Sequence, residues 1–182
     1  NAYLVGLAFG TFLAVSPMWW AYVALGGAIS VPATLGTAKV FKTWGVAALT
    51  APFVLTTWLF LLATYAFAAI DGSGLPMSTV IVPIEPSAAS ALAFGDFVQG
   101  ILKSISQVFL KASFLAAMLL LAGLAVNSLA AAAFALAGAI VSVITAHLLG
   151  AESDLITGGL MGFSPVLTAI APGAVFYKPS LR

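Results

Sequence analysis

The sequence predicts an all-α integral membrane protein, built as a multi-span helix bundle. Three observations predict it: 63% of the 182 residues are hydrophobic, 6% are charged, and the mean hydropathy is +1.18. Soluble domains carry about 25% charged residues, and a chain with so few polar side chains could not cover its exterior in water. The charged side chains leave uncharged stretches at 1–38, 43–70, 112–151 and 155–177, and each exceeds the roughly 20 residues that a membrane-spanning helix needs.

Breaks in the apolar pattern divide the first part of the chain, 1–70. Proline, glycine and charged residues interrupt the pattern, and the stretches between them predict three spans, over 1–15, 18–41 and 47–69. The following segment, 71–92, combines charged residues with glycines and three prolines. That composition favours an exposed loop rather than a further span.

The remaining part, 93–182, begins with an unusual helix. Residues 93–110 are apolar but short, are interrupted by two glycines, and carry two charged residues and Gln107. A segment too short and too polar to face lipid fits a re-entrant half-helix buried within protein, or a helix at the membrane surface. Three further spans follow, over 113–126, 128–149 and 155–177.

Residues 1–15 and 164–178 resemble each other after a shift of 163 positions. The shift superposes Leu4 on Leu167, Ala8 on Ala171 and Gly10 on Gly173. Many transporters consist of two inverted repeats with the substrate site between them. The positive-inside rule places the basic loop at Lys39 and Lys42 in the cytoplasm, the loop 71–92 outside, and the C-terminus in the cytoplasm. In this orientation the two similar helices run antiparallel, as an inverted repeat requires.

Composition and motifs exclude several classes of function. A net charge of +1 leaves no basic patch for binding nucleic acid, and the absence of cysteine rules out disulfides and thiolate metal sites. The sequence has no nucleophile–base arrangement, metal-ligand cluster or phosphate-binding loop, so we expect no enzyme activity, no cofactor and no metal. His147 lies in an apolar helix without a second ligand, and Glu152 and Asp154 fit a solvated turn.

Four short motifs follow one another along the chain. They are 1–6 (NAYLVG), 49–53 (LTAPF), 104–108 (SISQV) and 159–167 (GLMGFSPVL). In pattern, order and separation they resemble the urea transporter family, which carries a glycine–aromatic–asparagine motif once in each half. The resemblance covers essentially the whole chain. It implies that the bundle is part of an inverted-repeat channel fold, with one re-entrant half-helix at 93–110.

A urea pathway needs hydrogen-bond acceptors rather than a catalytic group. Urea is small, planar and neutral, with N–H donors on both nitrogens, so the pathway must replace its water with acceptors that each bind it weakly. Carbonyl groups at the C-terminal end of a half-helix are such acceptors. The resemblance places Gln107 in this ladder and Leu110 at the wall beside it. Judged without the resemblance, Gln107 could also form a buried hydrogen bond between helices.

The other implied positions line the narrowest part of the pathway. Phe163 corresponds to the aromatic wall of a flat slot, and Leu167 and Leu4 correspond to its central constriction. Thr50 corresponds to a hydroxyl at that constriction, where its oxygen would accept a hydrogen bond from urea. Simpler alternatives exist, since Phe163 is one of thirteen phenylalanines and Thr50 could cap the helix that follows it.

Two residues depart from the family pattern. Ser164 stands where the family has asparagine after the aromatic residue, and Ser113–Phe114 stands in place of asparagine–proline after the re-entrant helix. Aligned with the family, the chain covers the back part of the first repeat and the front part of the second. We therefore expect a truncated form of the channel.

The expected function is passive transport of urea or a small amide across a lipid bilayer. The resemblance further implies a multi-pass protein of the cell membrane, most simply the bacterial inner membrane, assembled as a homotrimer. Two alternatives stay open. The chain could be a non-conducting structural membrane fragment, or an ion-coupled transporter, which would need ionisable residues within its spans.

Overall fold

The computed structural model describes residues 1–75 and 92–177, and within these ranges all regular structure is helical. Contacts divide the chain into two units, Asn1–Ile81 and Val82–Arg182. Most of the loop predicted at 71–92 lies outside the described residues, as do the last five residues, which were expected in the cytoplasm.

The described part of the first unit contains α1 (Ala2–Phe12), α2 (Pro17–Lys42) and α3 (Ala51–Thr64). Ser16 caps α2, because its side-chain oxygen accepts a hydrogen bond from the backbone N–H of Trp19 at 3.2 Å. Pro17 occupies the first turn, where a helix needs no N–H donor. The last turn holds Lys39 and Lys42, whose positive charge favours a helix C-terminus.

Aromatic side chains form the core of the first unit. The ring centroids of Phe9, Tyr22 and Phe60 lie 4.9, 5.3 and 5.5 Å apart. The Tyr22 hydroxyl donates to the Phe60 carbonyl at 2.6 Å, and the Trp19 indole N–H donates to the Phe9 carbonyl at 3.1 Å. A Cβ on Gly26 of α2 would lie 2.6 Å from the Phe9 ring, so a glycine is needed where α2 approaches α1.

The described part of the second unit contains five α-helices. They are α4 (Phe94–Ser106), α5 (Phe114–Asn127), α6 (Leu129–Leu148), α7 (Ser153–Thr157) and α8 (Phe163–Ile170). A 3-10 turn, Gln107–Phe109, extends α4, and a π-helical segment, Ala171–Phe176, extends α8. Ser113 and Ser128 cap α5 and α6, since each hydroxyl accepts a backbone N–H three residues further on, at 3.4 and 3.2 Å.

Small and branched apolar residues form the core of the second unit. One buried cluster consists of Ile105, Ala135, Ala139 and Val166. The backbones of α6 and α8 come close together, because a Cβ on Gly138 would lie 2.6 Å from the carbonyl oxygen of Pro165. Helices that pack through glycine and alanine gain van der Waals contact without a large side chain, which is a common solution in membranes.

Within the described residues, α2 and α6 are long and apolar enough to cross a membrane. The helix Phe94–Phe109, formed by α4 and its 3-10 turn, also passes this test together with α5. The two meet at 74°, which fits either a broken span or a re-entrant loop. The helices found where spans were predicted over 1–15 and 47–69 are shorter, with 11 residues in α1 and 14 in α3.

The segment 155–177, which the sequence predicts as one helix, is divided in the structure. A turn over 158–162 separates α7 from α8, because Gly159 has a φ of +73° in the left-handed region. Beyond α8, Pro172 lacks the N–H that an α-helix requires, and the chain widens into the π-helical segment. The helical path of 155–177 therefore differs from the single span expected.

Candidate functional site

Gln107 lies in the 3-10 turn at the end of α4 and is only 8% exposed. Its side-chain Nε2 donates to the backbone carbonyl of Gly158 at 3.1 Å. Because a carbonyl only accepts, the atom that faces it must be the amide nitrogen, and the amide oxygen stays on the other side as an acceptor. The bond between helices that the sequence left open for Gln107 is therefore present, and it uses only the donor half of the amide.

Leu110 ends the helix that carries Gln107. Its φ is +54°, which is uncommon for a residue with a side chain and breaks the helical path. The Leu110 N–H donates to the Gln107 carbonyl at 2.8 Å, and the chain then bends by 74° into α5. The last carbonyl groups of a helix lack partners within it and form the negative end of its dipole. The end of α4 is thus a local source of acceptors.

The turn over 158–162 packs directly against the end of α4. A Cβ on Gly159 would lie 2.5 Å from the backbone of Lys103 and Ser104, and a Cβ on Gly162 would overlap the Ser104 side chain. The Ser104 hydroxyl is buried and has no hydrogen-bond partner among the described residues. Only glycine fits at these two positions of the turn.

Two side chains hold this turn by its carbonyl groups. Gln107 bonds to the carbonyl of Gly158 at the start of the turn, and Ser142 of α6 donates to the carbonyl of Met161 near its end, at 2.6 Å. Sequence reasoning missed Ser142, because one serine in an alanine-rich helix suggests packing. The available signal is that a hydroxyl in an apolar span needs an acceptor nearby.

Phe163 and Leu167 lie on α8, directly after the turn. Phe163 is the first residue of the helix, and both side chains are half-buried. Leu167 lines an apolar cavity of about 430 Å³ together with Val108 and Phe109 of the 3-10 turn. The structure thus brings Leu167 to the end of α4, whereas the side chains of Phe163, Gln107 and Leu110 do not line this cavity.

Leu4 and Thr50 belong to the first unit, and both are half-buried. Leu4 lies in the first turn of α1, and Thr50 directly precedes α3. Asn1 connects the two helix starts, because its side-chain oxygen accepts a hydrogen bond from the backbone N–H of Phe53 at 3.2 Å. The Thr50 side chain makes no capping hydrogen bond to α3, so the simpler alternative of a local cap is wrong.

The two departures from the expected pattern have different surroundings. Ser113 caps α5 with its hydroxyl, and its N–H donates to the Ser106 hydroxyl at 3.2 Å, so a serine serves this helix start well. Ser164 is exposed in the first turn of α8.

The lone histidine, His147, packs edge-on against the ring of Phe97, with centroids 5.0 Å apart.

Comparison with known protein families gives one clear result. The model of the urea transporter family matches residues 1–182. A comparison with curated proteins found no match. The family match includes both units and all six residues to which a role in the pathway was assigned. The members of that family are transporters and not enzymes.

Proposed function

Since the chain belongs to the urea transporter family, we propose that it forms a passive membrane pathway for urea or a similarly small, planar, neutral solute. The family match over residues 1–182 is the observation that carries this proposal. The end of α4 supplies chemistry that suits such a solute, because its carbonyl groups and the amide oxygen of Gln107 are acceptors. Acceptors in a row can replace the water that surrounds the N–H groups of urea.

The apolar surroundings of this helix end favour neutral solutes. A hydrated ion that entered the space beside Leu167 and Val108 would lose its water without compensation, whereas neutral urea would lose much less. We assign Phe163 to the wall of a flat slot, Leu167 and Leu4 to its constriction, and Thr50 to an acceptor at that constriction. A flat slot selects planar molecules by shape.

We further propose a membrane arrangement for the chain. It is a multi-pass protein of the cell membrane, most simply a bacterial inner membrane, with Lys39 and Lys42 in the cytoplasm and 71–92 outside. With 13 residues, α4 is too short to cross the bilayer, and it acts as a re-entrant half-helix. The resemblance between 1–15 and 164–178 supports assigning these segments to corresponding helices of an inverted repeat. The assembly is a homotrimer with one pathway in each subunit.

Urea flux into liposomes tests this function. The 182-residue chain is reconstituted, a urea gradient is imposed, and shrinking and swelling are followed by light scattering against protein-free liposomes. We expect flux that rises with protein content and does not change when a proton or sodium gradient is imposed. Flux at the protein-free level would identify a non-conducting membrane protein, and gradient-dependent flux would identify an ion-coupled transporter. Either result contradicts the proposal.

A further inference from the structure

We propose that Ser142 is a positioning residue for the solute pathway. Its hydrogen bond to the Met161 carbonyl holds the turn over 158–162, and that turn holds the Gln107 side chain with its nitrogen facing the turn and its amide oxygen facing away from it. That Gln107 faces the solute, and which solute it faces, rest on the proposed function, whereas the positioning of Gln107 follows from hydrogen bonds within the second unit.

The bond made by Ser142 is unusual for a serine within a helix. Such a serine commonly donates to a carbonyl of its own helix, as Ser30 does to Gly27 at 2.7 Å. Ser142 is 6% exposed and instead donates to the carbonyl of Met161, which lies outside its helix, at 2.6 Å. Without this bond the buried hydroxyl of Ser142 would be left unsatisfied, so the bond should be persistent.

The turn has little room to adjust if one of its ends is released. Its middle is fixed by Gly159, which has a left-handed φ and lies against the backbone of Lys103 and Ser104. Its two ends are held by the bonds from Gln107 and Ser142. The Gly162 N–H also bonds to the Gly159 carbonyl at 3.0 Å, so the turn would move as one bonded unit and a shift at Met161 would reach the carbonyl of Gly158. The Gln107 bond therefore depends on the Ser142 bond.

The orientation of Gln107 decides whether it offers the solute an acceptor or a donor. The two ends of an amide group are nearly equal in shape, so packing alone does not select one of its two orientations. The Gly158 carbonyl selects the orientation in which the nitrogen faces the turn. Urea, with N–H groups on both nitrogens, needs the oxygen on the other side. A Gln107 side chain released from the turn would rotate. For part of the time its own N–H groups would then face the N–H groups of urea, which cannot accept a hydrogen bond.

The chain contains only two glutamines, Gln99 and Gln107, which allows a direct measurement. The full chain is labelled with ¹⁵N in its glutamine side chains and placed in lipid nanodiscs, and NMR measures solvent exchange of each side-chain NH₂ group. We expect Ser142→Ala to speed the exchange at Gln107 about tenfold, which corresponds to the loss of one buried hydrogen bond. Ser142→Cys keeps the shape and a weak donor and should give an intermediate rate. Gln99 is exposed on α4 and should not change.

Ser30→Ala is the matched control, because it removes an equally buried hydroxyl whose bond stays within α2. It should leave Gln107 exchange unchanged. Equal exchange at Gln107 in the parent chain and in Ser142→Ala would overturn the positioning role.

Urea flux measured on the same variants separates the two proposals. If Ser142→Ala releases Gln107 but the parent chain carries no urea, the positioning role stands and the urea pathway fails. If the parent chain carries urea and Ser142→Ala carries it at the same rate, the pathway stands and the role of Ser142 in it is wrong.

Discussion

The two segments that resemble each other in sequence, 1–15 and 164–178, pack in opposite ways. In the first segment α1 supplies the large side chain. Phe9 is fully buried and fills the space above Gly26 of α2, and its ring joins the aromatic cluster of the first unit. The partner helix supplies the glycine that makes the contact possible.

In the second segment, α8 and the π-helical segment supply backbone and small residues. The carbonyl of Pro165 lies against Gly138 of α6, and the ring of Phe134 from the same helix lies on Gly173. In both segments a large side chain packs on a glycine. In the first segment the large side chain, Phe9, belongs to the segment itself, whereas at Gly173 it is Phe134 of the partner helix. The matching leucines, alanines and glycines therefore keep both segments apolar and helical, but equivalent positions contact different partners. Equal residues in the two segments should therefore tolerate substitution differently.

The largest difference in the effect of a substitution on stability is expected between two of the left-handed glycines, Gly45 of the first unit and Gly159 of the second. Both have a positive φ, of 68° and 73°, but a Cβ on Gly45 would meet nothing within 4 Å. Gly159→Ala adds a backbone collision to the conformational strain, so it should lower the free energy of unfolding by about 3 kcal/mol or more. Gly45→Ala carries the strain alone and should cost about 1–2 kcal/mol. Equal losses in denaturant unfolding in micelles would contradict the close packing of the turn.

A smaller difference in the effect of alanine substitution on stability is expected between Gly10 and Gly173, the glycines that the shift of 163 positions superposes. A Cβ on Gly10 would make an ordinary contact with Trp19 at 3.7 Å, whereas one on Gly173 would overlap the Phe134 ring. Gly173→Ala should lower the free energy of unfolding by about 1–3 kcal/mol, because the ring must move. Gly10→Ala should be neutral or raise it by up to about 1 kcal/mol, since alanine favours a helix. The same unfolding measurement checks both, and a reversed order would contradict the packing described for the two segments.

The sequence predicted those parts of the fold that depend on local pattern. Long apolar stretches predicted helices close to the observed α2 and α6, and the predicted break between the spans 113–126 and 128–149 falls at the boundary between α5 and α6, where Ser128 is the cap. The turn over 158–162 was not predicted. Glycines are common in apolar helices, and only the folded structure shows that Gly159 takes a positive φ against another helix.

Only the part of the candidate site that lies within a short sequence motif was predictable. The pattern around Gln107 located the end of α4, and the helix does end there, at a left-handed Leu110. The acceptor for the Gln107 side chain is a carbonyl 51 residues further on. The role of Ser142 depends on the approach of α6 to the turn. Such contacts arise from tertiary packing, and no periodicity or spacing in one sequence reveals them.

The most direct test of the account compares urea flux through the parent chain with flux through Gln107→Leu and Gln99→Leu in liposomes. Both variants replace a glutamine of the same helical segment by leucine, but only Gln107 is buried and bonded to the turn. Loss of one acceptor from the ladder should slow urea about tenfold in Gln107→Leu, as for one lost hydrogen bond, and Gln99→Leu should match the parent chain. Equal rates in all three proteins would contradict the account.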